Sequence, residues 1–415
     1  MNNMDDNYIY QDNLCLIKTK KYKSISLYFN FAKEYDLKTK LALDVLSRFI
    51  GEYSNAYPSK KDMTRARDML YAANVIASLK PRANLLLFQI KYTFINPKFL
   101  QDVCEKEFLD YLDEVINNTY FSKELFAEIK RIYKDNIKRS LDIPKNYANN
   151  RTSQILACQE KAFAIYDVNH IDEIDNISLD DVKEVYRSLF KDFSLDLFVV
   201  GDYSADLIKH LKKYHSNKSF VLSKTPLRFN ELNEVIEEKD VSQSCLNIVY
   251  STGITRTDDK FYAAMLGNVL FGIVPTSLLF SVVREKLSLC YQIASIDYKN
   301  EGIFRVFTLF DQKNKDTIIE EVNKQMQRLV LKDYDDEILE SARTLLIDTL
   351  MSNLDDNDAY SEYLYINKLN GIDVSLNQYA EKLKQVTKDD IAQIYKNTKH
   401  ILTYMLKGSK NEEDL

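Results

Sequence analysis

The run Arg284-Glu285-Lys286-Leu287-Ser288-Leu289-Cys290-Tyr291 sets a guanidinium and a phenol seven residues apart. Ahead of it, Pro275 has the fixed φ that suits the first turn of a helix continuing through Leu278, Leu279, Phe280, Val282 and Val283. Behind it, Tyr291-Gln292-Ile293 resumes as a strand, so Arg284 and Tyr291 are expected to flank one turn at a helix-to-strand junction. Both groups donate hydrogen bonds to oxygen atoms. The bland alternative is an arginine that caps its helix C-terminus beside an ordinary core tyrosine.

Other chemistry lacks its usual marks. Gly-x-x-x-x-Gly-Lys, Gly-x-Gly-x-x-Gly and Gly-x-Ser-x-Gly are all absent. The histidines His170, His210, His215 and His400 never share the three- or four-residue spacing that puts two ligands on one helical face, and each reads as a surface or loop residue. Asp355-Asp356-Asn357-Asp358 starts like a calcium loop but has neither Gly at the sixth position nor Glu at the twelfth, and reads as a polar turn between helices. Cys15, Cys104, Cys158, Cys245 and Cys290 are odd in number, far apart and without a Cys-x-x-Cys pair, as expected of reduced thiols in a cytosolic protein.

The formal net charge of -6 argues against nucleic acid as the main partner, since phosphate neutralisation needs a basic face. The one basic stretch, Lys209 to Arg228, reads as a solvated linker. Met1 to Asp12 is polar and acidic where a secretory signal needs a basic start and an apolar run, so a cytoplasmic location is expected. Phe261 to Val283 is uncharged and long enough to span a bilayer, but Asn268, Gly272, Pro275 and Ser277 divide it; a buried helix-loop-helix, with no membrane partner, is expected.

The elements that must position Arg284 and Tyr291 are written twice. The helix Leu41 to Gly51 parallels Tyr262 to Gly272, and each follows an apolar strand, Ser24 to Phe31 or Cys245 to Ser251. Ile76-Ala77-Ser78-Leu79 parallels Ile293-Ala294-Ser295-Ile296, followed by strands Leu85 to Phe94 and Ile303 to Phe310. Glu124 and Glu337 open long helices, and Ser178 and Thr387 are N-caps with acidic pairs behind them, where the helix dipole favours negative charge. Closing strands follow, Leu195 to Val200 and Ile401 to Leu406. The offset shrinks steadily, from 221 at Gly51/Gly272 through 217 at Ile76/Ile293 and 213 at Glu124/Glu337 to 209 at Ser178/Thr387. Such ordered self-similarity means a duplicated supersecondary unit. The expected fold is α+β: two homologous α/β sandwich halves, each a mainly antiparallel sheet with one face covered by helices. The halves are residues 1–214 and 229–415, joined by a polar linker at 215–228.

The run Arg-Glu-Lys-Leu-x-Leu-x-Tyr, followed by a strand, a turn at Asn300-Glu301-Gly302 and another strand, resembles the arginine and tyrosine motif in the C-terminal domain of the insulinase, pitrilysin and mitochondrial processing peptidase family. The duplicated halves resemble that family across nearly the whole chain. Leu70-Tyr71-Ala72-Ala73 after Tyr57-Pro58-Ser59 resembles its bacterial branch without the metal motif. Active members carry His-x-x-Glu-His on the first helix of the N-terminal domain and a third ligand glutamate downstream. Aligned through Gly51, this chain has Ala42-Leu43-Asp44-Val45-Leu46 there, and no histidine precedes His170, so no metal or other cofactor is expected in it.

The resemblance implies a division of labour. In heterodimeric members one subunit holds zinc and the other contributes the arginine and tyrosine; Arg284 would then position the substrate and stabilise developing charge, and Tyr291 would donate a hydrogen bond to it. The implied partners are a homologous zinc-bearing peptidase subunit and a short, unfolded peptide adding as a strand to a sheet edge, with a second copy of the chain the alternative partner. The rival reading is a non-catalytic peptide holder or assembly protein of the same fold. A self-sufficient metallopeptidase is disfavoured.

Overall fold

The computed structural model describes residues 8–232, 234–241 and 243–408. Residues 1–7 of the acidic N-terminal stretch therefore lie outside the described residues. Eleven strands form two sheets among the described residues. The first orders β1 (Tyr8–Gln11), β2 (Leu14–Lys18), β6 (Ser194–Gly201), β3 (Ser24–Glu34), β5 (Leu85–Ile95) and β4 (Asn74–Arg82). The second orders β7 (Val235–Lys239), β11 (Lys399–Gly408), β8 (Ser244–Ser251), β10 (Ile303–Phe310) and β9 (Cys290–Tyr298). With β1 set aside, the two orders are the same, and both contain one parallel pair, β2 with β6 and β7 with β11, among antiparallel neighbours. The duplication in the sequence is therefore a duplication of topology.

Local chemistry repeats too. Ser178 accepts a hydrogen bond from the Asp181 amide and Thr387 from the Asp390 amide, while each aspartate reaches back to its cap residue. Both are complete capping boxes, which satisfy two orphan amides per helix.

The chain divides into two compact units, each built from three segments. One contains Met1–Ile137, His170–Leu222 and Asp356–Leu369; the other contains Lys138–Asn169, Ser223–Asp355 and Asn370–Leu415. One helical segment from each half of the sequence, Lys138–Asn169 and Asp356–Leu369, thus belongs to the unit built mainly from the other half.

Helices cover both faces of each sheet, where the order of strands and helices suggested one covered face. In the first unit Phe31 packs edge-on against Phe190 and Phe94 stacks on Phe108, forming the apolar face. The opposite face presents Tyr28, Asn30, Lys91 and Asp196. The helix Asn357–Asn370 covers them through polar contacts: Asp358 accepts from Tyr28 (2.7 Å) and pairs with Lys91 (2.6 Å), Glu362 pairs with Lys80 and Arg82, and Lys368 pairs with Asp196. Asp358 is thus a structural tether. In the second unit the helix Pro144–Gln159 plays the same part, with Arg151 on Glu237 (2.6 Å) and Asn247 donating to Thr152 (2.9 Å) beside the buried Cys245, Val249, Phe307 and Tyr404.

The uncharged stretch Phe261 to Val283 is broken as expected. An α-helix Phe261–Asn268 continues as a π-helical turn Val269–Ile273, and the chain then turns before helix resumes at Leu278. No helix among the described residues is long and apolar enough to cross a membrane.

Candidate functional site

Arg284 lies in the π-helical stretch Phe280–Lys286, anchored by the buried Leu278, Leu279 and Val283. Pro275 sits in the preceding turn and not in the first helical turn, because helix begins only at Leu278. Wide helical turns of this kind are rare and concentrate at functional sites. The helix ends as the amides of Leu287 and Leu289 donate to the carbonyls of Val282 and Val283, both at 3.0 Å, and Ser288 takes a left-handed conformation (φ 50°). The chain emerges as β9, which among the described residues has a neighbour, β10, on one side only.

The structure puts Arg284 and Tyr291 on the two sides of this turn. Cys290 pairs with Phe310 and Gln292 with Leu309, so Tyr291 is the extra residue of a β-bulge. Bulges at sheet edges re-aim a side chain, and Tyr291 is 49% exposed, which removes the reading of it as ordinary core. The Arg284 guanidinium stacks over the Phe280 ring at 4.5 Å and lies 3.7 Å from Glu285, with its side chain 41% exposed. Burial raises the Cys290 thiol above its ordinary pKa, while the Thr308 hydroxyl and the Arg284 charge pull the other way.

The duplication supplies an internal control that sequence reading passed over. Arg67 stands four residues before a left-handed Tyr71 (φ 53°) and seven before Asn74 at the start of β4; Arg284 stands four before Ser288 and seven before Tyr291. The offset is 217, that of Ile76 and Ile293. Arg67 is tied down, donating to the Gly51 carbonyl and to Glu52 (3.1 Å). In the other half these positions are Gly272 and Ile273, and an isoleucine offers no carboxylate. Among the described residues Arg284 makes no hydrogen bond to a main-chain carbonyl, so it does not cap its helix. One arginine of the pair is structural, and its counterpart is presented to solvent.

The positions aligned with the metal motif are core. Ala42, Val45 and Leu46 are completely buried in or beside the helix Leu37–Leu46. The nearby Asp44 carboxylate is occupied by Lys40 (3.2 Å) and the Tyr133 hydroxyl (2.9 Å), and Arg48 lies over the Tyr133 ring at 5.7 Å. These residues do not fit a zinc ion: the aligned positions offer no donor atom, and among the described residues no three His, Cys, Asp or Glu side chains group to hold a metal. His210 contacts Asp113 (3.0 Å), His215 the Lys213 carbonyl (3.2 Å), and His400 both Glu231 (3.1 Å) and Thr403 (2.9 Å). His170 is a loop residue, as expected, and is buried where it precedes the short helix Ile171–Asp175.

Comparison with known proteins agrees with this geometry. The family model described as the peptidase M16 inactive domain matches residues 176–346. The chain is 28% identical over 410 residues to a "Probable inactive metalloprotease YmfF" of Bacillus subtilis (strain 168), with 95% of both proteins covered. Among solved structures, a conserved protein from Enterococcus faecalis V583 has a TM-score of 0.88 at 22% identity, covering 98% of this chain and 100% of that one. A peptidase M16 inactive domain from Pseudomonas fluorescens has a TM-score of 0.77 at 13% identity, covering 97% and 98%. Residues 176–346 thus match the inactive-domain model of the M16 peptidases, and nearly the whole chain is similar to a probable inactive metalloprotease and shares the fold of an M16 inactive domain.

Proposed function

We propose that this chain is the zinc-free subunit of a two-subunit metallopeptidase, lending Arg284 and Tyr291 to a homologous zinc-bearing partner that cleaves short, unfolded peptides in the cytoplasm. The observation that carries the reading is the contrast between Arg67, held by Gly51 and Glu52, and Arg284, held by neither equivalent. An exposed arginine beside a strand edge and a bulged, exposed tyrosine is suited to gripping the oxygen atoms of an extended peptide. Such donors act with little reorganisation when they are fixed in advance, and the Phe280 stack supports Arg284 in this way.

The test is reconstitution. Mixed with the zinc-bearing homologue, the wild-type chain should confer peptide cleavage that neither chain shows alone, and Arg284→Ala should lower the rate about 100-fold or more. Undiminished cleavage by the variant would remove the role given to Arg284. The packing of Ala42, Val45 and Leu46 as core also favours a second reading, a peptide holder or assembly protein with no catalytic partner. In that case peptide binding persists while every mixture fails to hydrolyse.

A further inference from the structure

The edges of the two sheets are not equivalent. β4 ends in Lys80-Pro81-Arg82, with both cations paired to Glu362, and β7 carries Glu237, Glu238 and Lys239. β1 is four residues long. Charge, proline and brevity are the devices that keep a strand edge from pairing with other chains. β9 is nine residues long, has neither charge nor proline in the run Tyr-Gln-Ile-Ala-Ser-Ile from Tyr291 to Ile296, as β4 has neither from Asn74 to Leu79, ends in Asp297-Tyr298 without a cation or proline, and among the described residues pairs with β10 alone. Its edge is open for about six residues' length of pairing.

That open edge has a defined end. Beyond Cys290 the chain turns through the left-handed Ser288 into the helical stretch Phe280–Lys286, so no strand continues past Tyr291 to be paired. A ligand strand running antiparallel to β9 therefore stops at Tyr291, beside the turn that Arg284 precedes. Lys286 lies two residues beyond Arg284, and among the described residues the one acidic contact of Arg284 is the largely exposed Glu285 at 3.7 Å, too long for a hydrogen bond. A mid-chain carbonyl would leave this positive charge uncompensated. A carboxylate would neutralise it and match the guanidinium fork. The same junction exposes Leu287 and Tyr291, apolar surface suited to a terminal side chain.

We infer that β9 binds an extended peptide antiparallel to itself, with the peptide's free C-terminal carboxylate on Arg284 and an apolar last residue against Leu287 and Tyr291. This rests on the reading of Arg284 as a peptide-binding residue and names which oxygen atoms it holds. If a zinc-bearing partner cuts such a peptide, the retained fragment is the C-terminal one.

The experiment compares two fluorescein-labelled hexapeptides of small and apolar residues, identical except that one ends in a free acid and the other in an amide. Fluorescence anisotropy with the full chain should give tighter binding of the acid by about 10- to 100-fold, the worth of a charge-assisted hydrogen-bonded contact. Arg284→Ala should bring the acid down to the level of the amide, and Arg284→Lys should restore part of the difference. A thermal midpoint within about 4 °C of the wild type in both variants shows that the fold is intact. Equal binding of acid and amide, both weakened by Arg284→Ala, overturns the carboxylate assignment and leaves the peptide-binding reading standing. Binding of neither peptide, or binding indifferent to Arg284, overturns both.

Discussion

Replacing each arginine of the duplicated pair by alanine separates structure from function. Arg67 donates to the Gly51 carbonyl from a side chain 21% exposed, and a hydrogen bond from a charged donor is worth about 1.5–3 kcal/mol. Its pairing with Glu52, a side chain 43% exposed, adds less than about 1 kcal/mol. Arg67→Ala should therefore cost about 2–3 kcal/mol. At about 2–4 °C per kcal/mol for a domain of about 200 residues, the thermal midpoint falls by roughly 5–10 °C. Arg284 has only the Phe280 stack and a weak contact to Glu285, so Arg284→Ala should cost about 0.5–1 kcal/mol, a shift of roughly 1–4 °C. Differential scanning calorimetry of both variants, with peptide binding measured alongside, gives the comparison. The reasoning is refuted if Arg284→Ala is as destabilising as Arg67→Ala, since Arg284 would then be a second structural anchor.

The two capping boxes should respond alike: Ser178→Ala and Thr387→Ala should each cost about 1 kcal/mol, read from denaturant midpoints, and a severalfold difference would contradict their structural equivalence. Gly51 takes φ 84° and a Cβ there would collide with the Val75 carbonyl, so Gly51→Ala should cost more than about 3 kcal/mol or prevent soluble expression; a near-neutral result in chemical denaturation would contradict the close approach of this turn to β4. Asp297, beside a small cavity and accepting from Asn268 Nδ2 (2.5 Å), is pushed by desolvation from 3.8 to about 6. Its folded form binds a proton that its unfolded form has lost, so its contribution is full below pH 3.8 and is lost as pH rises through about 6. Wild-type stability should fall relative to Asp297→Asn across that window, by about 3 kcal/mol, and then level off; parallel pH profiles of the two proteins would contradict this.

The strand framework was legible because its signals are local. Apolar runs such as Leu85 to Phe94 and turn residues such as Gly302 mark elements without reference to distant contacts, and the repeat ordered them. Sheet membership of the exchanged helices was not legible. Asn357–Asn370 meets its sheet through Asp358, Glu362 and Lys368, and Pro144–Gln159 buries Asn150, Thr152 and Ser153, so neither shows the apolar stripe that names a covered face. The π-helical stretches leave no pattern either, since one inserted residue per turn has no composition of its own. At the site, the Arg284 and Tyr291 spacing was readable, whereas the bulge at Tyr291 depends on register with β10. The Arg67 counterpart could have been found from the offset of 217 already visible at Ile76 and Ile293. Only the structure gives the reason it matters, which is that Glu52 has become Ile273.

Titrating this chain into a fixed amount of the zinc-bearing homologue, while following hydrolysis of a short peptide, tests the division of labour most directly. Activity should rise from baseline and saturate at one chain per homologue, and Arg284→Ala should saturate at the same ratio with a rate about 100-fold or more lower. Hydrolysis by the homologue that is indifferent to added chain, or hydrolysis by this chain alone after dialysis against zinc, would contradict it.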